Sequence, residues 1–329
     1  MRSIGRAMLV LALAGCGGGG EEPADCPCAG EAACACDGGG GGETPGACER
    51  EPEGRSEAVC QAWSCARGRE GRVAWSGSVA ACDPGDDDAN RAAALQLVNA
   101  YRLVADLPAL VTDPALDAKA QACALLQDAN DVLEHFPDES AACYSAAGRE
   151  ASGKSNLASN EGVMGIHLHM FDAGEHNAAA LGHRRWILSP PLEATGLGTT
   201  DGYSCMWIMH PFQNDTAAFV AWPPPGPVPA EAVQGVHPGI GSLDAIGWSI
   251  QSNTIDLSAA SATVTEDGVE RPVQTLPLEN NYGSRQAIKI VPDGWRTAVG
   301  PTYRVELAGT SAPVAYEFHL VDCGPSAGG

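Results

Sequence analysis

The run Ala221-Trp222-Pro223-Pro224-Pro225-Gly226-Pro227 constrains this chain more than any other stretch, because its prolines interrupt any continuous helix or ladder. It reads as a boundary, and the residue patterns on its two sides differ. Ahead of it, apolar residues recur at three and four. Leu95, Val98, Arg102 and Ala105, with Ala94, Leu97 and Tyr101, give a helix to about Ala105. The acidic turn Pro84 to Asp88 suits the positive N-terminal end of that helix. Thr112-Asp113-Pro114 starts a second helix, with Asp113 as N-cap and Pro114 at the first helical position. Its face is Leu116, Ala120, Cys123, Leu126 and Gln127; it runs towards Asn130, and His135 lies just past it. Residues 137–162 read as polar loop, and Val163 to Leu181 as helical with glycine interruptions. Leu197 to Thr200 and Cys205 to Met209 read as short strands around Asp201-Gly202. The fold class is therefore α+β in this half.

Behind the proline run the pattern is that of strands. Thr254–Leu257, Ala262–Thr265, Ala287–Val291, Tyr303–Leu307 and Val314–Phe318 alternate or are β-branched, with Asp267-Gly268 as a turn. Such strands with Gly, Pro and Asn punctuation predict a β-sandwich. His237 and His319 stand alone within it and read as structural.

The N-terminus reads as an export signal. Arg2 and Arg6 precede an apolar run, Ala7 to Ala14, too short to span a bilayer. Leu13-Ala14-Gly15-Cys16 resembles a bacterial lipobox, which implies acylation of Cys16 and a lipid anchor on an otherwise extracellular protein. Residues 16–85 then read as a Gly/Cys-rich tether followed by a small disulfide-held segment. Thirteen cysteines less the acylated one leave an even number, which in an exported chain predicts disulfides. Local spacing groups Cys26, Cys28, Cys34 and Cys36; then Cys48, Cys60, Cys65 and Cys82; then Cys123 with Cys143; then Cys205 with Cys323. A net charge of −22 repels nucleic acid and anionic head groups, so neither is an expected partner, and membrane attachment is left to the lipid anchor.

The titratable groups concentrate between residues 135 and 185. His135, His167, His169, Asp172, Glu175, His176 and His183 lie there, the last inside Leu181-Gly182-His183-Arg184-Arg185-Trp186. On a helix, residues 169, 176 and 183 share a face, and with Glu175 they offer a zinc set, although the HExxH spacing is absent. No GxSxG elbow and no P-loop is present.

Leu97-Val98-Asn99-Ala100-Tyr101-Arg102, Leu107-Pro108-Ala109-Leu110 and Asp113-Pro114-Ala115-Leu116 resemble the opening of a CAP domain, the cysteine-rich secretory, antigen 5 and pathogenesis-related superfamily. His135 matches its first histidine; Gly182-His183-Arg184 with Ile187-Leu188 and Gly196-Leu197-Gly198 match its second histidine and first strand. The likeness is to the bacterial exported branch. It implies a three-layer α-β-α sandwich over residues 86–215, ahead of the β-rich, immunoglobulin-like residues 216–329. It also implies a cleft presenting two histidines and two acids. By position these are His135 and His183, with Asp172 or Glu175 as the acid, while Ser155-Asn156-Leu157 stands where the family carries Glu-Asn-Ile or Glu-Asn-Leu.

Two imidazoles and a carboxylate on one cleft can hold zinc with an open position, or move protons near neutrality. The leading expectation is a non-catalytic surface module that binds a small lipid, glycan or peptide, or a divalent metal at His135 and His183, with the sandwich as spacer or second surface. The alternative is a metal-dependent or His/acid hydrolase, a peptidase, acting on envelope or extracellular polymers.

Overall fold

A computed structural model describes residue 48 and residues 51–71, 73–210 and 217–324. The expected signal peptide, Cys16, Cys26, Cys28, Cys34 and Cys36 lie outside the described residues. Among those described, no helix is long and apolar enough to cross a membrane.

Helix α1, Arg55–Arg67, precedes α2, Asp88–Val104, whose buried face is Leu97, Val98, Tyr101 and Val104. Strand β1, Val111–Thr112, leads into α3, Pro114–Asn130. The predicted start of α3 is in place: Pro114 opens it, and Asp113 Oδ1 accepts from the N–H of Ala115 at 2.8 Å. The stretch expected to be loop carries α4, Ala146–Ser152, and β2, Ser155–Ala158, both shorter than any periodicity can reveal. Then come α5, Gly162–Phe171; α6, Gly182–Ile187; β3, Ala194–Thr195; β4, Leu197–Thr199; and β5, Ser204–Trp207.

Strand β5 lies between β2 and β4 in an antiparallel sheet, and its alternation builds two apolar layers. Cys205 and Trp207 pack with Ala120, Cys123 and Ala124 of α3 and Ala151 of α4. Met206 joins Leu97 of α2 and Ile166 and Met170 of α5 on the other face. This is the α-β-α sandwich. Helix α3 approaches β4 so closely that a Cβ at Gly196 or Gly198 would lie 2.2 Å from the backbone of Leu116 or Ala120. The Gly196-Leu197-Gly198 motif thus exists because its two glycines share the face that meets the helix.

The rest is two sheets. Strands β6, Val220–Trp222, and β7, Gly226–Pro229, are followed by short helices α7, Glu231–Gln234, and α8, Leu243–Ile246. Strands β8, Trp248–Ser252; β9, Ser261–Glu266; β10, Val269–Arg271; β11, Val273–Pro277; β12, Gln286–Pro292; β13, Thr302–Ala308; and β14, Val314–Val321 complete the chain. One sheet has the order β10-β9-β13-β14-β7, the other β11-β12-β8-β6. The proline run is not an exposed linker: Trp222 is fully buried, and the run carries the chain from β6 in one sheet to β7 in the other. Pro227 and Pro229 fit because β7 is an edge strand, paired only with β14. Thr254–Leu257 is not a strand; Ser252 Oγ instead accepts from the N–H groups of Thr254 and Ile255 and turns the chain.

Strand β8 is buried on both faces. Trp248 and Ile250 enter the apolar cluster that also holds Phe318, Tyr303 and Val264, while Ser249 and Gln251 face α6. Burying a side chain the size of Trp248 stabilises the fold by about 2–3 kcal/mol. The same cluster runs back through Ile187, Met170 and Tyr101 to Trp63 of α1, so one core joins α1, α2, α5 and α6 to the two sheets, while α3 and α4 pack on β5 in a second cluster.

Among the described residues four disulfides form: Cys48–Cys65, Cys60–Cys323, Cys82–Cys143 and Cys123–Cys205. The local grouping therefore fails for three of them. Cys123 faces Cys205 across the α3–β5 layer, and Cys60 meets Cys323 because α1 packs on β7, which runs beside the end of β14. Four bridges accord with an oxidising compartment. Replacing Cys60 and Cys323 together by alanine opens a link 263 residues apart in sequence. The expected cost is about 2–5 kcal/mol, read as a fall in the urea midpoint under non-reducing conditions. An unchanged midpoint would mean that the core alone holds α1 in place.

Candidate functional site

Helix α5 ends where Asp172 turns left-handed, at φ 56, a conformation that Asp tolerates better than most residues. Turns follow until Leu181, also left-handed at φ 47, opens α6. The predicted helical stripe of His169, His176 and His183 therefore does not form. His169 is on α5, His176 sits exposed in the turns, and His183 belongs to the first turn of α6.

The break brings Asp172 onto His183. His183 Nδ1–H donates to Asp172 Oδ1 at 2.7 Å, and the carboxylate is fully buried. The other oxygen accepts from the N–H of Arg184 at 3.4 Å. Beneath His183 lies His169, ring centroids 5.0 Å apart and planes 30° apart. Burial holds the His169 imidazole well below its ordinary range, so it is neutral at pH 7 and adds no charge against His183.

His135 stands in the loop after α3. Gln127 at the end of α3 fixes that loop: its Nε2–H donates to Glu134 O at 3.1 Å and its Oε1 accepts from Glu134 N–H at 2.7 Å. His135 Nδ1–H then donates to Ser152 O, the end of α4, at 2.7 Å. In both histidines Nδ1 is the proton-bearing nitrogen, because each faces an acceptor with no proton to give. Each Nε2 makes no hydrogen bond among the described residues.

His135 and His183 line one cleft of about 380 Å³, with Phe136, Ser155, Asn156, His176, Trp186, Met209, Glu279 and Tyr282. Glu175 is exposed and is not part of its lining. Ser155 Oγ is buried and has no hydrogen-bond partner. Phe136 is 73% exposed and Met209 44%, so the rim is apolar while the floor is polar. As a zinc site the cleft is short of donors. Among the described residues the only convergent group of three His, Cys, Asp or Glu is Glu70, His167 and His237; the cleft imidazoles have no third protein ligand beside them.

Residues 95–209 match the model of the cysteine-rich secretory protein family, CAP. The chain carries a CAP domain. No curated protein and no solved structure was found to match the chain.

The matched segment ends before Glu279 and Tyr282, which come from the loop between β11 and β12 of the sandwich. That loop is sewn to the CAP domain. Arg185 Nη1 donates to Glu279 O and Nη2 to Ser284 O; Ser189 Oγ donates to Gly283 O, and Glu279 N–H to Ala179 O. Lys289 Nζ, on β12, donates to Ala178 O at 2.8 Å. Nothing in the sandwich sequence marks this loop, since its contacts are with backbone carbonyls. Ser155 was visible only as the residue in the place of an expected glutamate.

The glycine of Gly182-His183-Arg184 has its own cause. A Cβ there would lie 2.6 Å from the Tyr282 ring. Gly182→Ala is expected to destabilise the chain by about 1–3 kcal/mol through that overlap. In a Tyr282→Ala background most of the cost is expected to vanish, measured as a double-mutant cycle in urea. An undiminished cost would show that the ring is not what demands a glycine.

Proposed function

We propose that this is an exported binding protein whose CAP cleft takes a short peptide segment, and that Cys16 anchors it by a lipid. The observation that carries the reading is a set of unspent hydrogen-bonding groups in one cleft. Ser155 Oγ is buried without a partner, and the Nε2 atoms of His135 and His183 carry no hydrogen bond among the described residues. A buried hydroxyl without a partner costs about 1–3 kcal/mol, which a ligand carbonyl or N–H recovers. The rim of Phe136, Met209 and Tyr282 suits an apolar side chain of the same ligand. A backbone amide with a neighbouring apolar side chain has this mixture.

The hydrolytic alternative draws on the His183–Asp172 pair, which has the form of an oriented general base. Ser155 is not joined to that base, because its Oγ has no hydrogen-bond partner. The pair would then have to activate water rather than a serine.

The experiment is selection of a random peptide library on the immobilised full chain, followed by fluorescence anisotropy with the enriched peptides. His183→Ala is expected to weaken binding by roughly tenfold or more, and Ser155→Ala by about five- to tenfold. Peptides that bind both variants as tightly as the wild type do not use the cleft and overturn the reading. Cleavage of the same peptides by the wild type, abolished in Asp172→Asn, would establish the hydrolase instead.

A further inference from the structure

A second group of imidazoles lies outside the cleft. Glu70, just past α1, His167 on α5 and His237, after α7, come from three distant parts of the sequence. One ligand atom of each lies within 4.8 Å of the others. Glu70 Oε1 accepts from His167 Nε2–H at 2.8 Å, and Glu70 Oε2 is 3.5 Å from His237 Nε2. Adjacent ligands of a tetrahedral zinc are about 3.3–3.5 Å apart, so the required movements are small.

We propose that Glu70, His167 and His237 form a binding site for zinc or a similar divalent cation, which fastens the α1 segment to the CAP domain and the sandwich. Four features support it. The set is two imidazoles and a carboxylate, the donor chemistry of open zinc sites. His167 is oriented from behind by Tyr101, whose hydroxyl is 2.8 Å from Nδ1, and both residues are fully buried. That hydroxyl donates or accepts, so the proton of His167 can pass from Nε2 to Nδ1 and free Nε2 for the metal. His237 is 34% exposed, which gives the ion a way in and leaves room for a water as fourth ligand.

Arg67 is the competitor. Its Nη1 contacts Glu70 Oε2 and donates to His237 Nε2 at 3.3 Å, so a guanidinium stands where the cation would. That second contact also shows that His237 Nε2 presents its lone pair. Arg67 has other acceptors: Glu231 Oε2, which lies 3.2 Å from its Nε and is held by Trp63 Nε1–H, and Val236 O. A metal displaces one arm of the guanidinium and leaves the rest in place. Burial keeps the His167 imidazole below its ordinary range, so it is neutral and available as a ligand at pH 7. Glu70 with Arg67 and Glu231 carries a net negative charge, which admits a dication.

The test uses the full chain, stripped with EDTA, dialysed and titrated with Co²⁺ and then Zn²⁺, with metal content measured alongside visible absorption. The expected result is a Co²⁺ spectrum of nitrogen and oxygen ligation, without thiolate charge-transfer bands. It should be displaced by Zn²⁺ and weakened by at least about tenfold in His237→Ala. The cleft variant His135→Ala/His183→Ala is expected to bind as the wild type does. Should His237→Ala fail to fold, Glu70→Gln reads the same loss with an isosteric side chain. Absence of bound metal in the wild type overturns the proposal. So does binding that His237→Ala leaves intact, or binding that only the cleft variant removes.

Discussion

Arg184 and Arg185 hold the two halves of this protein against each other. Both guanidiniums are fully buried and donate to backbone carbonyls and to the Ser249 and Ser284 hydroxyls, with only Arg185 Nε left unpartnered among their nitrogens. Arg184 donates to Met170 O and Phe171 O, the orphan carbonyls at the end of α5, and reaches Gly247 O at the start of the sandwich sheet. Arg185 does the same between Ala180 O and Glu279 O. Burial pulls each down to about 10, still far above neutrality, so both are charged in the fold. Taking a partner away from a buried charge is strongly destabilising, so these carbonyls are held where they are. The positions of Asp172, His183 and the loop carrying Glu279 follow from that requirement.

The cleft is therefore a joint rather than a property of the CAP domain alone. The domain supplies His135, His183 and Ser155, with Asp172 buried behind His183 and absent from the lining. The sandwich supplies Glu279 and Tyr282, at the end of a loop fixed by Arg185, Ser189 and Ala179. A sandwich acting only as a spacer would have solvent on the outer face of β8. Instead Gln251 donates to Arg185 O and Leu188 O, and strand β8 is buried on both sides. One side of the cleft, Glu279 and Tyr282, is consequently formed by residues that the family match does not reach.

What the sequence made legible is local. Asp113-Pro114 announced its helix because an N-cap and its proline are neighbours in the chain. The alternation in β13 and β14 was visible because one face of each strand meets solvent. The strand β8 was missed because it is covered on both faces and lacks alternation. The disulfides were misgrouped because Cys60 and Cys323 are brought together by the packing of α1 on β7 and the pairing of β7 with β14, neither of them encoded nearby. The same holds for the site. His135 and His183, taken from family motifs, do line one cleft, whereas His237 read as isolated because its neighbours Glu70 and His167 are remote in sequence. The arginines of the 181–186 stretch read as part of a titratable cluster, yet their work is structural.

Helix α5 carries its two histidines to two separate clusters. His167 and His169 are two residues apart, about 200° around the helix, so they cannot face the same neighbour. His167 looks towards Tyr101 and Glu70, and His169 towards His183. Each is neutral because burial removes its charge, and each therefore presents a lone pair or an uncharged stacking face rather than a cation. A helix body about 10 Å wide separates the two. The apolar residues between them, Ile166 and Met170, belong to the common core, so neither imidazole can move towards the other's site without opening that core. The cleft and the Glu70–His167–His237 group thus share a support and have no polar group in common.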